Sequence, residues 1–514
     1  MITRGCETHV REAGTHYDLA IIGGGINGTG IARDAAGRGL SVLLVEKDDL
    51  ASATSSWSSK LIHGGLRYLE QFQFRLVAEA LAEREILLNI APHLVKPLRF
   101  VMPHVPQLRP RWMIRAGLFL YDHMGHKAAT AGSNGSRLPK SRGISLRTPP
   151  YNAGLKPEFS RGFIYSDCRV DDARLVLANA ISAAEAGAAV LTRTECITGK
   201  RISKGWEICL RQNDGREIIV TAKAVANAAG PWVKQVLHDR LRQIGREEVR
   251  LVKGSHIVLR RLYEGDHAYI LQNDDHRVIF MIPYLTDFTL VGTTDVTVTS
   301  ISEPPAASTE EVEYLCRAVN RYLQKPIDTE EIVWSYAGVR PLYDDGEKNP
   351  SAITRDYTLR LDDDNGTAPI LSIYGGKITT YRKLAEHALE KLAPYFAHMK
   401  SPWTAAEPLP GAEVVDEDTD APWKSLPADL LNSLRNRHGT RTRHLLFDVV
   451  ALKDLGAHFG GHLYAREIDY MMAHEWAQSA EDVLYRRSKA GLLMTQAQRL
   501  AVADYVMARK HTPE

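Results

Sequence analysis

Cysteine is scarce in this sequence, and its placement excludes two classes of protein. Five of the 514 residues are cysteines: Cys6, Cys168, Cys196, Cys209 and Cys316. Their number is odd and no two are spaced as C-x-x-C, so neither a disulfide framework nor a cysteine metal or redox pair is indicated. This usage favours a protein of the reducing cytosol, and the sequence predicts no metal site.

Charge of one sign and long apolar runs are also missing. The 64 basic and 62 acidic residues leave a formal net charge of only +2, which gives no general field for nucleic acid. No uninterrupted apolar run approaches the roughly 18 residues of a membrane span. The polar leader, residues 1–16, lacks the apolar stretch of a signal peptide, so we expect a protein that is neither secreted nor transmembrane.

The residues that are present describe a folded protein of several domains. Apolar residues make up 44% of the chain and charged residues 25%, a balance typical of globular proteins. At about 150 residues per domain, a chain of this length predicts two to four domains.

Glycines near the start of the chain form the turn of a βαβ unit. The parts of this unit, in order, are an apolar run at 19–22, the glycines Gly23, Gly25 and Gly28, a helical stretch at 28–39, an apolar run at 42–45 and Glu46. The G-x-G-x-x-G spacing lets backbone approach a pyrophosphate closely, and the acid accepts hydrogen bonds from a ribose. The pattern predicts a dinucleotide site, which FAD and NAD would satisfy equally.

A loop rich in small hydroxyl residues follows at once, and it favours FAD. Its candidate cofactor-binding residues are Thr54, Ser55, Ser58 and Ser59. Such residues can line a pyrophosphate and an isoalloxazine, whereas a nicotinamide-binding unit does not explain the loop. The loop then enters a glycine-rich stretch that carries His63, Arg67 and Tyr68.

Periodicity predicts that the dinucleotide unit is interrupted and later resumed. We expect a helix at 171–186 and then strands, with a hairpin turn at Asp214-Gly215. Alternating apolar residues between 252 and 292 favour an antiparallel sheet in a second domain. Residues 125–160 have the composition of a surface loop, and residues beyond 402 that of helices.

Long stretches of the sequence resemble the FAD-dependent glycerol-3-phosphate dehydrogenases, the aerobic and quinone-linked family. The opening from Ile21 to Glu70, which begins IIGGGINGTGIARDAAGRGL and ends SSKLIHGGLRYLE, is similar to the family signature almost without interruption. Further family-like stretches are SDCRVDDARLVLANA from Ser166, NAAGPWV from Asn227, VKGSHIV from Val252, VGTTDV from Val291, YAGVRPL from Tyr336, ITRDY from Ile353, YGGKITTYRKLAEHALEKL from Tyr374 and HEWAQSAEDVLYRRSKAGL from His474. The resemblance is dense over residues 17–400 and weaker beyond.

The resemblance implies a fold class of α/β and α+β. A Rossmann-like FAD-binding domain (about 17–80, 160–255 and 350–400) would be interleaved with a mainly antiparallel-sheet substrate domain (about 81–159 and 256–349). A C-terminal helical domain would follow at 401–514. The sequence leaves a homodimer open.

The resemblance also implies a reaction: oxidation of sn-glycerol 3-phosphate to dihydroxyacetone phosphate by hydride transfer to flavin N5. The electrons would pass to ubiquinone or another membrane quinone. A phosphate calls for guanidinium groups, and the resemblance brings Arg67, Arg340 and Arg355 to the substrate, with Tyr68 as a hydrogen-bonding partner. The alcohol proton needs a base, for which His63 is favoured and His256 is the orienting or alternate residue.

A second glycine pair precedes a short helix at residues 375–382. Glycines that lead into a helix N-terminus direct backbone N–H groups towards negative charge, and in the family the pyrimidine edge of the flavin lies there. The resemblance therefore implies that Gly376, Lys377 and Thr379 contact the cofactor. Lys377 and Arg340 are also expected to take part in catalysis.

One basic stretch predicts contact with a membrane surface. Between Glu85 and Asp122 there is no acidic residue, and Lys96, Arg99, Arg109, Arg111 and Arg115 alternate with apolar residues such as Trp112 and Phe119. This composition suits docking on anionic lipid, and a basic cover of the substrate domain would look the same. The family favours docking on the inner leaflet, hence a cytoplasmic protein held peripherally at the cytoplasmic membrane.

Three other functions remain open at this stage. A glycerol-3-phosphate oxidase would use the same architecture and pass electrons to oxygen. A related flavoprotein could oxidise the amine of a small amino acid, although the number of candidate phosphate-binding arginines argues against it. A non-catalytic flavin-binding sensor would not need His63 together with Arg67, Arg340 and Arg355.

Overall fold

The computed structural model describes residues 16–130, 138–245, 248–275, 277–301, 305–343, 356–414 and 422–510. The strands, in chain order, are β1 (His16–Ile22), β2 (Val42–Val45), β3 (Leu61–Ile62), β4 (Val95–Pro103), β5 (Arg142–Ser145), β6 (Arg161–Val170), β7 (Ala189–Leu191), β8 (Thr194–Ile202), β9 (Gly205–Gln212), β10 (Glu217–Asn227), β11 (Val249–Arg260), β12 (Ala268–Gln272), β13 (Val278–Tyr284), β14 (Phe288–Gly292), β15 (Val296–Val298), β16 (Ile332–Tyr343), β17 (Thr358–Asp364), β18 (Thr367–Tyr374), β19 (His458–Gly460) and β20 (Leu463–Tyr464). The helices are α1 (Ile26–Gly37), α2 (Phe74–Ile90), α3 (Arg111–Thr130), α4 (Asp172–Glu185), α5 (Val233–Gln235), α6 (Thr309–Asn320), α7 (Tyr381–Leu392), α8 (Ala428–His438), α9 (Thr442–Leu445), α10 (Ala465–His474) and α11 (Gln496–Lys510).

A largely parallel sheet forms the centre of the cofactor domain. Its strand order is β17-β18-β10-β1-β2-β7, and β9, itself paired with β8, joins β10. β1 pairs in parallel with β2 and β10, and β10 pairs in parallel with β18. Strands that are more than 300 residues apart in the chain therefore share one sheet, which confirms a Rossmann-like domain that is interrupted and resumed.

Helix α1 packs closely against α4 and α7 because its inward face consists of small residues. A Cβ at Gly30 would lie 2.7 Å from the ring of Tyr381, so only glycine leaves room for that ring. Ile31 and Ala35 are fully buried in the same apolar cluster. This packing fixes the N-terminus of α1 beside the carboxyl ends of β1 and β2, where doubly wound folds bind their ligands.

The second domain is built on a sheet of ten strands in which most neighbours run antiparallel. Its order is β15-β11-β14-β13-β12-β4-β6-β3, with β16 on β11 and β5 on β6. The long β11–β16 ladder brings His256 opposite Tyr336 and Gly254 opposite Gly338. Apolar clusters lie on both faces of the sheet, as expected for a sheet with covered faces.

The C-terminal domain is mainly helical and adds the small β19–β20 hairpin. It has two apolar clusters of its own. Buried ion pairs join it to the cofactor domain: Arg487 contacts Asp49, and Arg174 lies 2.6 Å from Glu475. Buried pairs of this kind are destabilising to break, because each removal leaves an unpaired charge.

Part of the stretch 125–160 is not the loop that its composition suggested. Helix α3 continues to Thr130, and β5 pairs with β6. The helix persists because Ile114, Leu118 and Tyr121 anchor it in the core, a contact that local composition does not reveal. The leader up to residue 15 and most of the acidic stretch 413–420 lie outside the described residues.

Candidate active site

The glycine turn between β1 and α1 is closed by backbone contacts that exclude any side chain. A Cβ at Gly28 would lie 1.9 Å from the carbonyl oxygen of Gly23. Gly23 has φ +114°, and a Cβ there would lie 2.5 Å from the oxygen of Ala228. Glycine is therefore required at both positions, and the turn places the N-terminus of α1 at the end of the sheet, where a pyrophosphate would bind.

Glu46 stands at the end of β2 and is bound by backbone donors. Its Oε2 accepts a hydrogen bond from Gly24 N at 2.7 Å, and its Oε1 accepts one from Asp48 N at 2.9 Å. Burial raises the pKa of the Glu46 carboxyl, and the two backbone hydrogen bonds oppose that shift. Its orientation is thus fixed at the position that the sequence predicted for ribose recognition.

A cleft of about 240 Å³ opens between this turn and the segment that follows β10. Its lining includes Gly23, Gly25, Glu46, Thr54 and Ser55 from the predicted cofactor set. Ala228, Gly230 and Trp232 form part of the facing wall. A cleft with glycine backbone on one side and small apolar residues on the other suits an adenosine and its pyrophosphate.

The hydroxyl residues of the loop that follows Glu46 bind different parts of the protein. Ser55 Oγ accepts a hydrogen bond from Ile26 N at 2.9 Å and so lies at the N-terminus of α1. Thr54 donates to Val339 O at 2.7 Å, and Ser58 donates to Asp172 Oδ2 at 2.7 Å. The side chains of Thr54 and Ser58 thus tie the loop to β16 and α4, whereas Ser55 lies at the cofactor turn.

His63 lies in the turn that follows β3, beside the second glycine-rich segment. Its N–H donates to Thr379 Oγ1 at 3.3 Å, and its ring meets the edge of Phe280 with centroids 6.3 Å apart. The adjacent Gly64 N donates to Tyr121 Oη at 2.8 Å. His63 and Thr379, both predicted site residues, are therefore brought together from positions more than 300 residues apart.

The Gly375-Gly376 turn holds the segment that leads into α7 against α1. Both glycines have positive φ, +75° and +98°. Asn27 donates from Nδ2 to Gly375 O at 3.2 Å, and its Oδ1 is buried with no hydrogen-bond partner among the described residues. Asn27 Oδ1 can therefore accept a hydrogen bond from a ligand that binds at this turn.

Lys377 follows this turn and lies over the ring of Tyr68, with its Nζ 3.8 Å from the ring centroid. A cation at this distance from an aromatic face is attracted by the ring quadrupole. Arg67 is half-buried on the same short helical turn as Tyr68. The structure thus brings together Lys377, Tyr68 and the predicted arginine.

His256 is buried on β11. Its Nε2 lies 2.9 Å from Ser59 Oγ, and its ring stacks on Tyr336 with centroids 4.8 Å apart. Burial lowers the pKa of His256 to about 3, and the charges of Lys60 and Arg340 act in the same direction. A histidine with so low a pKa is neutral near pH 7, and it orients Ser59 better than it accepts a proton.

Arg340 lies on β16 and points across Gly254. A Cβ at Gly254 would lie 2.6 Å from Arg340 Nη2. The same Nη2 donates to Thr294 O at 3.0 Å and lies 2.7 Å from Asp295 Oδ1. These contacts fix the orientation of the Arg340 guanidinium. Arg355, the third predicted arginine, lies outside the described residues.

Sequence reasoning missed three residues that shape this site. Asn27 is one of the variable positions of the glycine fingerprint, so its type carries no signal there. Asp295 and Tyr121 lie far along the chain from their partners Arg340 and Gly64. The VGTTDV stretch could have pointed to Asp295, whereas nothing local distinguishes Tyr121 from an ordinary core residue.

The residues present fit FAD. The glycine turn that a Cβ would fill, the fixed Glu46 carboxylate and the buried acceptor of Asn27 are the groups that this cofactor needs. The fold and the site together define an FAD-dependent oxidoreductase.

Comparison with known proteins gives the same class and narrows it. Residues 18–382 match the family described as "FAD dependent oxidoreductase", and residues 402–510 match the "C-terminal domain of alpha-glycerophosphate oxidase". Glycerol-3-phosphate dehydrogenase from Pseudomonas aeruginosa is 53% identical over 97% of this chain and 96% of its own length. D-erythritol 1-phosphate dehydrogenase from Brucella abortus is 48% identical over 95% and 97%.

A solved structure of similar size agrees. The glycerol-3-phosphate dehydrogenase from Bacillus halodurans, complexed with FAD, has a TM-score of 0.72 and 25% identity, covering 98% of this chain and 91% of that one. The chain belongs to the FAD-dependent glycerol-3-phosphate dehydrogenase family.

Proposed function

We propose that this enzyme oxidises sn-glycerol 3-phosphate to dihydroxyacetone phosphate and passes the electrons to a membrane quinone. The observation that carries the proposal is the contact of His63 with Thr379, two residues after Lys377. The same segment lies near β16, because a Cβ at Gly375 would be 3.6 Å from the carbonyl oxygen of Pro341, the residue after Arg340. When bound, FAD supplies the hydride acceptor at flavin N5. The protein must then bind the phosphate, take up the alcohol proton and keep both groups in position.

Arg340 and Arg67 are the proposed phosphate ligands. Asp295 and the Thr294 carbonyl hold one edge of the Arg340 guanidinium, which reduces the conformational entropy lost when a phosphate binds. Charge-assisted hydrogen bonds of this kind are the strong ones in protein sites. Arg355 remains a proposed third ligand on the strength of the family resemblance.

His63 is the proposed base for the alcohol proton. Of the two candidate histidines, His256 has its pKa lowered to about 3 by burial, which makes it a weak acceptor. His63 is half-buried and stands beside Thr379. His256 instead orients Ser59. Lys377, which precedes α7, is proposed to stabilise negative charge on substrate or cofactor.

The direct test is an anaerobic titration of the purified enzyme. Glycerol 3-phosphate should bleach the flavin absorbance, and His63→Asn should slow that bleaching much more than His256→Asn does. D-erythritol 1-phosphate, the substrate in the name of one relative, is the comparison compound. If it bleaches the flavin and glycerol 3-phosphate does not, the substrate proposal is wrong.

The electron acceptor needs a second measurement. The reduced enzyme is mixed either with a soluble quinone analogue or with air-saturated buffer. Faster reoxidation by the quinone supports a dehydrogenase, and faster reoxidation by oxygen with release of peroxide would identify an oxidase.

We also propose that α3 docks on the inner leaflet of the cytoplasmic membrane. Trp112 and Phe119 on this helix are 74% and 55% exposed, and Phe72, where the chain enters α2, is 79% exposed. Arg111 and Arg115 flank them on α3. Among the described residues no helix combines the length and hydropathy needed to cross a bilayer, so a helix lying in the interface is the proposed mode.

The structure divides the basic stretch that the sequence grouped together. Arg109 pairs with Glu70, Arg99 donates to Ser166 Oγ, and Lys96 contacts Asn436 in the C-terminal domain. The proposed membrane surface is therefore smaller than the sequence pattern. Trp112→Ser with Phe119→Ser should reduce sedimentation with vesicles of anionic lipid, whereas Leu500→Ser with Met507→Ser, an exposed pair on α11, should not.

A further inference from the structure

A second cavity of about 650 Å³ lies between the substrate sheet and the C-terminal domain. The start of β4, the end of β6 and the β13–β14 hairpin form one side, and α8 with residues 461–462 and 488–493 forms the other. None of the exposed α3 residues proposed for membrane contact lines it. The cavity is thus a separate feature from the lipid-facing surface and the adenosine cleft.

Six basic and three acidic side chains line this cavity. The cationic members are Lys60, Lys96, Arg169, Arg261, Arg437 and Lys489, and the carboxylates are Asp171, Asp266 and Asp287. Some of the cations have buried partners: Lys60 binds Asp172 and Arg437 binds Glu467. Lys489 and Arg261 also have carboxylate partners, Asp171 and Glu264.

Lys96 and Arg169 differ from the other four cations of the lining. They stand opposite each other in the β4–β6 register, and neither makes an ion pair with a carboxylate in the part of the chain that the structure describes. The Lys96 ammonium contacts only a neutral group, the side-chain oxygen of Asn436. Burial and the nearby Arg169 lower the pKa of Lys96. Two adjacent cations without an anion destabilise the protein, and a bound anion would relieve this.

We propose that this cavity is a second binding site for a small, water-borne phosphate-bearing anion, distinct from the substrate site. Lys96 and Arg169 bind the phosphate oxygens, since Arg and Lys are the usual phosphate ligands. The apolar residues Ile282, Leu285 and Leu493 contact the remainder of the ligand.

The site is connected to the flavin loop through Lys60. Lys60 is a residue of the cavity lining, and its buried ammonium donates to Ser56 O at 2.8 Å and to Asp172 at 2.9 Å. Asp172 in turn accepts a hydrogen bond from Ser58, next to the Ser59 that contacts His256. An anion near Lys60 therefore acts on the loop that carries two predicted cofactor residues, and binding should change turnover without competing with substrate.

Inorganic pyrophosphate is the probe, titrated by calorimetry into the FAD-loaded full-length enzyme. We expect a binding event that persists in Arg340→Ala, because Arg340 does not line the cavity, and that weakens at least tenfold in Arg169→Glu. Arg169 is exposed, so the charge reversal should leave the fold intact. Arg147→Glu, an equal charge reversal at an exposed position outside the cavity, is the matched control and should titrate as wild type.

Two results would overturn the inference. Equal pyrophosphate binding by Arg169→Glu and Arg147→Glu would show that the cavity does not bind the anion. Loss of all binding in Arg340→Ala would assign the probe to the substrate site. Failure of glycerol 3-phosphate to reduce the flavin would contradict the proposed function and leave this binding experiment unaffected.

Discussion

The two ends of the cofactor site are built in different ways. The dinucleotide end comes mostly from one short segment, β1 to Glu46, and its contacts are glycine backbone and a carboxylate held by backbone N–H groups. The proposed substrate end draws on His63, His256, Arg340 and Lys377, from four segments spread over more than 300 residues. Chemistry that relies on backbone shape can be local, whereas chemistry that relies on several charged side chains needs the whole fold.

This difference predicts that damage at the dinucleotide end abolishes cofactor binding, whereas damage at the substrate end leaves the cofactor bound. Gly28→Val has the largest expected effect, because its Cβ would overlap the Gly23 carbonyl oxygen at 1.9 Å. The purified variant should contain essentially no flavin, as read from the ratio of flavin to protein absorbance. Gly143→Ala, with no atom nearer than 3.6 Å, should retain flavin. A Gly28→Val protein that retains its flavin would contradict the prediction that damage at the dinucleotide end abolishes cofactor binding.

Arg340→Ala tests the other end. We expect normal flavin content with kcat/KM lowered roughly 10- to 160-fold, since a charged hydrogen bond to phosphate contributes about 1.5–3 kcal/mol. Removal of Arg340 also takes away the cation that lies 2.7 Å from the half-buried carboxylate of Asp295. The double variant Arg340→Ala with Asp295→Asn should therefore regain thermal stability while kcat/KM stays low. Recovery of activity in the double variant would contradict phosphate binding by Arg340.

Glu46→Gln sharpens the comparison with a smaller change. The amide keeps one acceptor but presents an NH2 group to one of the two N–H donors, Gly24 or Asp48. FAD should bind about tenfold more weakly, because charge-assisted hydrogen bonds are replaced by neutral ones. Glu195→Gln, in the same cleft but paired with Arg240, is the control. Equal FAD retention by both variants would show that the Glu46 charge has no part in binding.

The smallest expected effect concerns pH. The pKa of His256 is about 3 in the folded protein and about 6.5 in an unfolded chain, so the unfolded state binds more protons between these values. His256 therefore adds stability that is fully present above pH 6.5 and is lost as pH falls towards 3, by at most about 1.4 kcal/mol per pH unit. In urea unfolding between pH 7 and pH 5, His256→Asn should be less stable at pH 7 and lose less stability on acidification. The surface variant His398→Asn should follow the wild-type slope.

Sequence reasoning predicted the dinucleotide end well because the signal is local. Glycines at fixed spacing, a following helix and an acid at the end of the second strand have a single structural meaning together, and the turn is as predicted. The helix at α4 and the hairpin at Asp214-Gly215 are confirmed for the same reason. Residue type alone could not show that Ser58 points to Asp172 while Ser55 lies at α1.

For this protein, the sequence by itself determined the class of cofactor, the family and the order of its structural units, since these depend on local spacing and on long ordered motifs. Only the tertiary structure decided which histidine is buried and neutral, which carboxylate holds Arg340 and where Lys96 and Arg169 meet. Those properties arise from burial and from neighbours distant in the chain, and a residue's pKa and partners are set by these surroundings.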